Sequence, residues 1–163
     1  DYLNSVSANK ELGGGVLLEL SHEIDIANWF LGPIKINFAN LKSSGLLPID
    51  VEDRAYLMAE NDKGVQISIR LNFCSEPSKR KIEIRGEKGQ IFWDLIHGKL
   101  EISNENNDIY QSNLNIDRDS LFLIQIKHFF DCIFGKYKPK CSISEGIYIL
   151  ELIREAKKIY RLS

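Results

Sequence analysis

The chain is poor in the features that would tie it to a covalent scaffold, a membrane or a nucleic acid. Its 163 residues hold three cysteines, Cys74, Cys132 and Cys141, with no CxxC spacing. That excludes a disulfide framework and a cysteine-based zinc site, and points to free thiols in a reducing compartment. No apolar run approaches the ~20 residues needed to span a bilayer. No basic-then-apolar leader opens the chain, so a cytoplasmic protein is expected. Lysine and arginine total 21 against 23 acids, a formal charge of −2. That balance excludes the concentrated basic face of a nucleic-acid or anionic-membrane binder. Walker loops and G-x-S-x-G elbows are missing too. The chain starts at Asp1 rather than methionine, which suggests a segment upstream.

What is present suffices for one globular domain. A chain of this length buries roughly 70% of its unfolded surface and needs no staples. The first ten residues, DYLNSVSANK, carry no period and read as an extended lead-in. From Val16 to Leu31 the pattern is apolar nearly all round and closes on Gly32-Pro33, the stop signal of a buried helix. Strict alternation then takes over. Residues 35–38, 55–59, 65–73, 81–85, 91–95 and 99–102 each repeat with period two, as antiparallel strands covered on one face do. The connectors 61–64, 86–89 and 97–99 are short and supply glycine for tight turns. Two helices follow. One runs from Asp119 to Phe134 with Leu121, Phe122, Ile126, Phe129 and Ile133 at helical spacing. The other opens on a Ser142-Ile-Ser-Glu145 capping box. The expected fold is α+β: an open, largely antiparallel sheet of five to seven strands with one N-terminal buried helix and two C-terminal helices.

The opening helix concentrates the candidate chemistry. Glu19, His22 and Asp25 recur at spacings of three, so a continuous helix lines them into one polar stripe. Ionisable groups in so apolar a segment are costly unless paired or facing a cleft. An imidazole beside acids can act as a general acid or base near neutral pH. The plainer reading makes the stripe structural, with Glu19 and Asp25 capping backbone or lying at the surface. Gly13-Gly14-Gly15 precedes the helix. Its glycines permit close backbone approach and the helix start offers N–H groups, but no strand precedes it, so it is no dinucleotide fingerprint. A tight turn is the simpler reading. His97 falls in a turn and His128 on an amphipathic helix, neither at metal-ligand spacing to a cysteine. The basic run Lys79-Arg80-Lys81 is short and reads as solvated, with a phosphate contact as the alternative.

Taken together, GGGVLLELSHEIDIANWFLG resembles the start of the C-terminal domain in the glucose–fructose oxidoreductase, inositol dehydrogenase and rhizopine catabolism (Gfo/Idh/MocA) family. VEDRAYLMAENDKGVQISIRLNF and KIEIRGEKGQIFWDL resemble its hairpins, and CSISEGIYILELIREAKKI its closing helix. The resemblance runs from about Ala8 to the end. It implies that residues 1–163 form the substrate-binding and oligomerisation half of an enzyme. The other half, an N-terminal Rossmann domain holding NAD or NADP and a catalytic lysine, is absent from the chain, so the fragment alone is expected to be inactive. It further implies a sugar, cyclitol or sugar-nucleotide substrate and a homo-oligomer, such as a dimer, formed through the sheet face. His22 matches the histidine that acts at the substrate hydroxyl or carbonyl. Glu19 takes the place of an acid that orients it, Asp25 fixes the helix or binds a substrate hydroxyl, and Gly14 and Gly15 approach the cofactor. One departure stands out: the family often has aspartate four residues before the histidine, where this chain has Leu18. The competing expectations are a non-catalytic sugar-binding or assembly domain and a scaffold without a ligand.

Overall fold

The computed structural model describes residues 5–106, 108–114 and 117–162. In chain order it contains a 3-10 turn at Val6–Ala8, α1 (Val16–Glu19), α2 (Ser21–Leu31), β1 (Ile34–Lys42), β2 (Arg54–Asn61), β3 (Gln66–Asn72), β4 (Lys81–Gly86), β5 (Gly89–Asp94), β6 (Lys99–Asn104), β7 (Ile109–Asn113), α3 (Arg118–Ile133) and α4 (Ile143–Leu162). The chain divides into two compact units, residues 1–74 with 141–163, and residues 75–140.

The first unit carries the antiparallel meander β1-β2-β3. Period-two patterning becomes one-sided burial here. Ile34, Ile36, Ala39, Leu41, Ala55, Leu57, Ala59, Ile69 and Leu71 are buried, while alternate positions stay open to solvent. The register of β1 against β2 shifts between Ile36 and Phe38, a bulge that moves the buried phase from even to odd positions. On the buried face lie Val16, Leu17 and Ile24 from the opening helices and Ile149, Leu152, Ile153 and Ala156 from α4. Each Val, Leu or Ile side chain among them contributes about 1.5–3 kcal/mol by leaving water. Tyr148 fastens α4 to the sheet, its hydroxyl accepting from Ile34 N at 3.1 Å and donating to Ile34 O at 2.7 Å. The capping box forms as the sequence predicts: Glu145 N donates to Ser142 Oγ at 3.2 Å and Ser142 N to the Glu145 carboxylate at 2.6 Å. That backbone donor first, and then the Ser142 hydroxyl, which also donates to the carboxylate at 2.8 Å, hold the Glu145 carboxyl below its ordinary range.

The second unit is the meander β4-β5-β6-β7 followed by α3. One sheet face presents Ile82, Ile84, Ile91, Trp93, Leu100 and Ile102 in cross-strand register, and the other carries Lys81, Glu83, Arg85, Gln90 and Glu101 around Phe92. The N-cap Asp117 of α3 accepts from Ser120 N at 3.1 Å. Apolar side chains of α3 remain exposed, Leu123 at 68% and Phe129 at 60%.

Among the described residues the seven strands therefore fall into two ladders of three and four. Two local expectations are revised. The lead-in is not wholly extended, because residues 6–8 turn in a 3-10 bend, while residues 1–4 of it lie outside the described residues. The helix expected over 16–31 arrives in two pieces, broken at Leu20 (φ −100°, ψ 27°). Nor is it buried on every side: Ile24 is fully buried but Trp29 is 76% exposed. Asn61 ties the end of α2 to the sheet, its side-chain amide donating to Leu31 O at 2.9 Å, and Gly32 ends the helix at φ 77° as its sequence predicts.

Candidate functional site

The site is built on α1 and α2. Ile24, fully buried, fixes the inward face of α2. A residue two positions away on a helix lies about 200° round the axis, so His22 faces outward, its side chain 49% exposed. Asp25, half-buried, and Trp29 lie three and seven residues beyond His22 on that same outward side. His22 is thus available to another molecule rather than sealed in hydrocarbon. Its Nε2 lies 3.3 Å from Glu23 Oε1, an acid adjacent in sequence and so outside the three-residue spacing.

Glu19 is placed differently from the expected stripe. It ends α1, and the break at Leu20 separates it from the helix that carries His22. Its carboxylate accepts a hydrogen bond from Ser7 Oγ, twelve residues earlier. Ser7 could not be singled out from the sequence, because nothing local links residues that far apart.

The glycine triplet is committed to packing. Gly13 N donates to Lys10 O, Gly14 N to Asn9 O, Gly15 N to Ser7 O and Val16 N to Glu52 O, all between 2.8 and 3.1 Å. A Cβ on Gly14 would sit 2.5 Å from the Val6 carbonyl oxygen and 2.6 Å from that of Ser7. Gly15 has φ 114°, and a Cβ there would meet the Glu52 carboxylate at 2.4 Å. With those amides donated within the chain, the backbone of the turn is engaged in packing. Glu52 in turn lies 3.7 Å from Lys157 Nζ on α4. Glu52, unremarked in the sequence, thus sits where the helix start and α4 meet.

The remaining candidates lie in the second unit. His97 Nδ1 is 3.0 Å from Asp94 and Lys81 Nζ is 3.6 Å from the same carboxylate; the His97 hydrogen bonds, ahead of the Lys81 charge, hold Asp94 below its ordinary pKa. Lys81 therefore serves an ion pair at the start of β4. His128 Nε2 approaches Cys132 Sγ at 3.5 Å. A hollow of about 90 Å³ is lined by Gln90, Phe92, Glu101, Ser103 and Ile109. Among the described residues no three metal-ligating side chains converge, and no helix is long and apolar enough to cross a membrane.

Comparison with known proteins fits this architecture. The sequence model described as "Oxidoreductase family, C-terminal alpha/beta domain" matches residues 5–158. Comparison with curated proteins gives no match. Among solved structures, the WlbA dehydrogenase from Bordetella pertussis, in complex with NADH and UDP-GlcNAcA, is 21% identical. It superposes with a TM-score of 0.75 over 98% of this chain and 47% of its own. A levoglucosan dehydrogenase, in complex with NADH and levoglucosan, is 16% identical with a TM-score of 0.84, covering 96% of this chain and 51% of its own. The UDP-N-acetylglucosamine 3-dehydrogenase GnnA from Acidithiobacillus ferrooxidans is 16% identical with a TM-score of 0.75, over 91% and 48%. At these identities the likeness establishes the fold. The chain spans about half the length of the structures it matches.

Proposed function

The chain belongs to the Gfo/Idh/MocA oxidoreductase family, matching its C-terminal alpha/beta domain over residues 5–158, and from that premise we propose that it is the substrate-side half of an NAD(P)-dependent dehydrogenase. The substrate class is a sugar, a cyclitol or a sugar nucleotide. Residues 1–163 supply the substrate-binding and oligomerisation domain, and a Rossmann domain elsewhere in the protein supplies the cofactor site. The single observation that carries this reading is the outward-facing, half-exposed His22 on α2, set directly opposite the buried Ile24.

The amides of this chain's glycine turn are donated internally, and the dinucleotide is held mainly by the other half. Bound by the other half, the nicotinamide supplies hydride acceptance or donation. In that setting His22 exchanges the proton of the substrate hydroxyl, Glu23 beside it holds the imidazole, and Glu19 contributes a carboxylate next to the helix start. Asp25 binds a neighbouring substrate hydroxyl or fixes α2. Gly14 and Gly15 serve the site indirectly, through the turn that presents α1. A fragment lacking the Rossmann half is inactive on this reading. Its free cysteines suit the reducing cytoplasm.

A homo-oligomer, a dimer in its simplest form, accompanies this reading. The outer face of β1–β3 exposes Phe38 and Met58 at 38% and 42%, with Phe38 and Tyr56 in edge contact at 6.1 Å. An apolar patch on a sheet is commonly covered by a second subunit.

The test is NAD(P)-dependent turnover of the complete protein against a panel of sugars, cyclitols and nucleotide sugars, with His22→Ala alongside. At least one substrate is expected to turn over, and His22→Ala to lower kcat roughly 10²–10⁴-fold. Near-normal turnover by His22→Ala defeats the assignment. Silence across the panel with both cofactors favours the second reading, a non-catalytic sugar-binding or assembly domain. One observation supports that rival: Glu19 and His22 each have a partner within the chain, Ser7 and Glu23.

A further inference from the structure

Ser7 grips both ends of α1. Its backbone carbonyl accepts from Gly15 N at 3.0 Å, at the residue that caps the helix start. Its hydroxyl donates to the carboxylate of Glu19, the last residue of the same four-residue helix. A helix of one turn has no stability of its own, so a clamp across it decides where its last side chain stands. Ser7 is itself held from behind. It lies in the 3-10 turn Val6–Ala8, and the buried Gly14 lets that turn come so near that a Cβ there would touch the carbonyl oxygens of Val6, Ser7 and Asn9. Glu52 closes the other side, its carbonyl accepting from Val16 N at 2.9 Å and its carboxylate filling the space beside Gly15.

We propose that Ser7 is a positioning residue for the reaction: by spanning α1 from Gly15 to Glu19 it fixes the Glu19 carboxylate beside the helix that carries His22. This rests on the functional reading above and adds a residue to it. An exposed glutamate is otherwise free to sample several rotamers, each lost when a hydrogen bond selects one. A hydrogen bond from a hydroxyl to a carboxylate is charge-assisted and stronger than one between neutral groups. Nothing in this arrangement requires Ser7 to touch the substrate, so the influence of its hydroxyl runs through Glu19.

That last point gives the test. In the complete protein, Ser7→Ala should lower kcat about tenfold while KM for the nicotinamide cofactor stays within about twofold, the size expected when one oriented hydrogen bond is lost. Ser7→Thr, which keeps the hydroxyl, should restore kcat to within about threefold and covers the case in which Ser7→Ala folds poorly. In a Glu19→Ala background, Ser7→Ala should cost nothing further, since coupled residues are not additive. Additive losses in that double-mutant cycle, or a Ser7→Ala kcat within about twofold of the parent while His22→Ala keeps its large defect, would overturn the inference and leave the functional reading standing. A normal His22→Ala enzyme would remove both.

Discussion

The backbone N–H of Ser44 donates to both carboxylate oxygens of Asp53, at 2.9 and 3.1 Å, and the Asp53 side chain that receives them is completely buried. Ser44 Oγ donates to the same carboxylate, and Cys74 Sγ approaches it at 3.7 Å. Asp53 N donates to Lys42 O and Asp53 O accepts from Phe73 N. One residue therefore joins the end of β1, the loop after it, the start of β2 and the end of β3. The removal of such an acceptor strands the part-buried amide and hydroxyl of Ser44. Asp53→Ala should lower the unfolding free energy by about 3 kcal/mol, and Ser44→Ala by about 1. Urea denaturation measures both, and an Asp53→Ala loss below about 0.5 kcal/mol would contradict this role.

The glycine triplet makes a graded prediction. Gly14 has three carbonyl oxygens within 2.8 Å of where a Cβ would stand, whereas Gly13, at φ 83°, has open space there. Gly13→Ala therefore meets only left-handed backbone strain, about 1–2 kcal/mol. Gly14→Ala meets backbone that must move, so it should cost about 3 kcal/mol or more. Equal melting temperatures for the two variants would show that the turn does not pack against residues 6–9 in this way.

Asp131 predicts an acid-dependent lock at the end of α3. Lys127 Nζ lies 2.5 Å and Lys136 Nζ 3.0 Å from its oxygens. The hydrogen bond from Lys127 first, then that from Lys136, hold the carboxyl below its ordinary value of 3.8 and Lys127 above its own 10.5. A depressed carboxyl stabilises the folded form fully above the unfolded value and loses that contribution as pH falls through the folded one. The raised lysine contributes below its unfolded value and loses it as pH rises through the folded one. The lock is thus complete at neutral pH and fails only in acid below about pH 4 or in strong alkali. Carboxyl NMR should place the Asp131 midpoint below 3.8, with Lys127→Met moving it upward. A midpoint at or above that value would show the pairs are absent in solution.

On the proposed reading, the outer face of the three-stranded sheet carries the subunit contact. Met58→Glu on β2, at a 42% exposed site, introduces like charges into any self-complementary contact across that face. Sedimentation should find the parent oligomeric at high micromolar concentration and the variant shifted toward monomer. A strictly monomeric parent would rule this surface out as the subunit contact.

Much of this was legible in the chain because its cause is local. Alternation over 65–73 becomes β3 almost residue for residue, since period two is how a strand separates its faces. The Ser142–Glu145 box needs only three residues of helix to close. The outward place of His22 follows from its phase against Ile24. Other features depend on residues far apart in sequence. The break at Leu20 interrupts a run that periodicity alone would continue, and Glu19 turns to Ser7 rather than to the histidine three positions on. Gly14 reads as a turn residue until residues 6–9 come to rest against it. Asp53 is an ordinary acid in the sequence and a buried junction in the fold. Sequence fixes patterns that repeat within a few residues, because backbone geometry ties near neighbours together. Partners brought from distant segments, and the pairing of strands into ladders of three and four, are chosen only when the whole chain packs and each buried polar group must find a donor or acceptor.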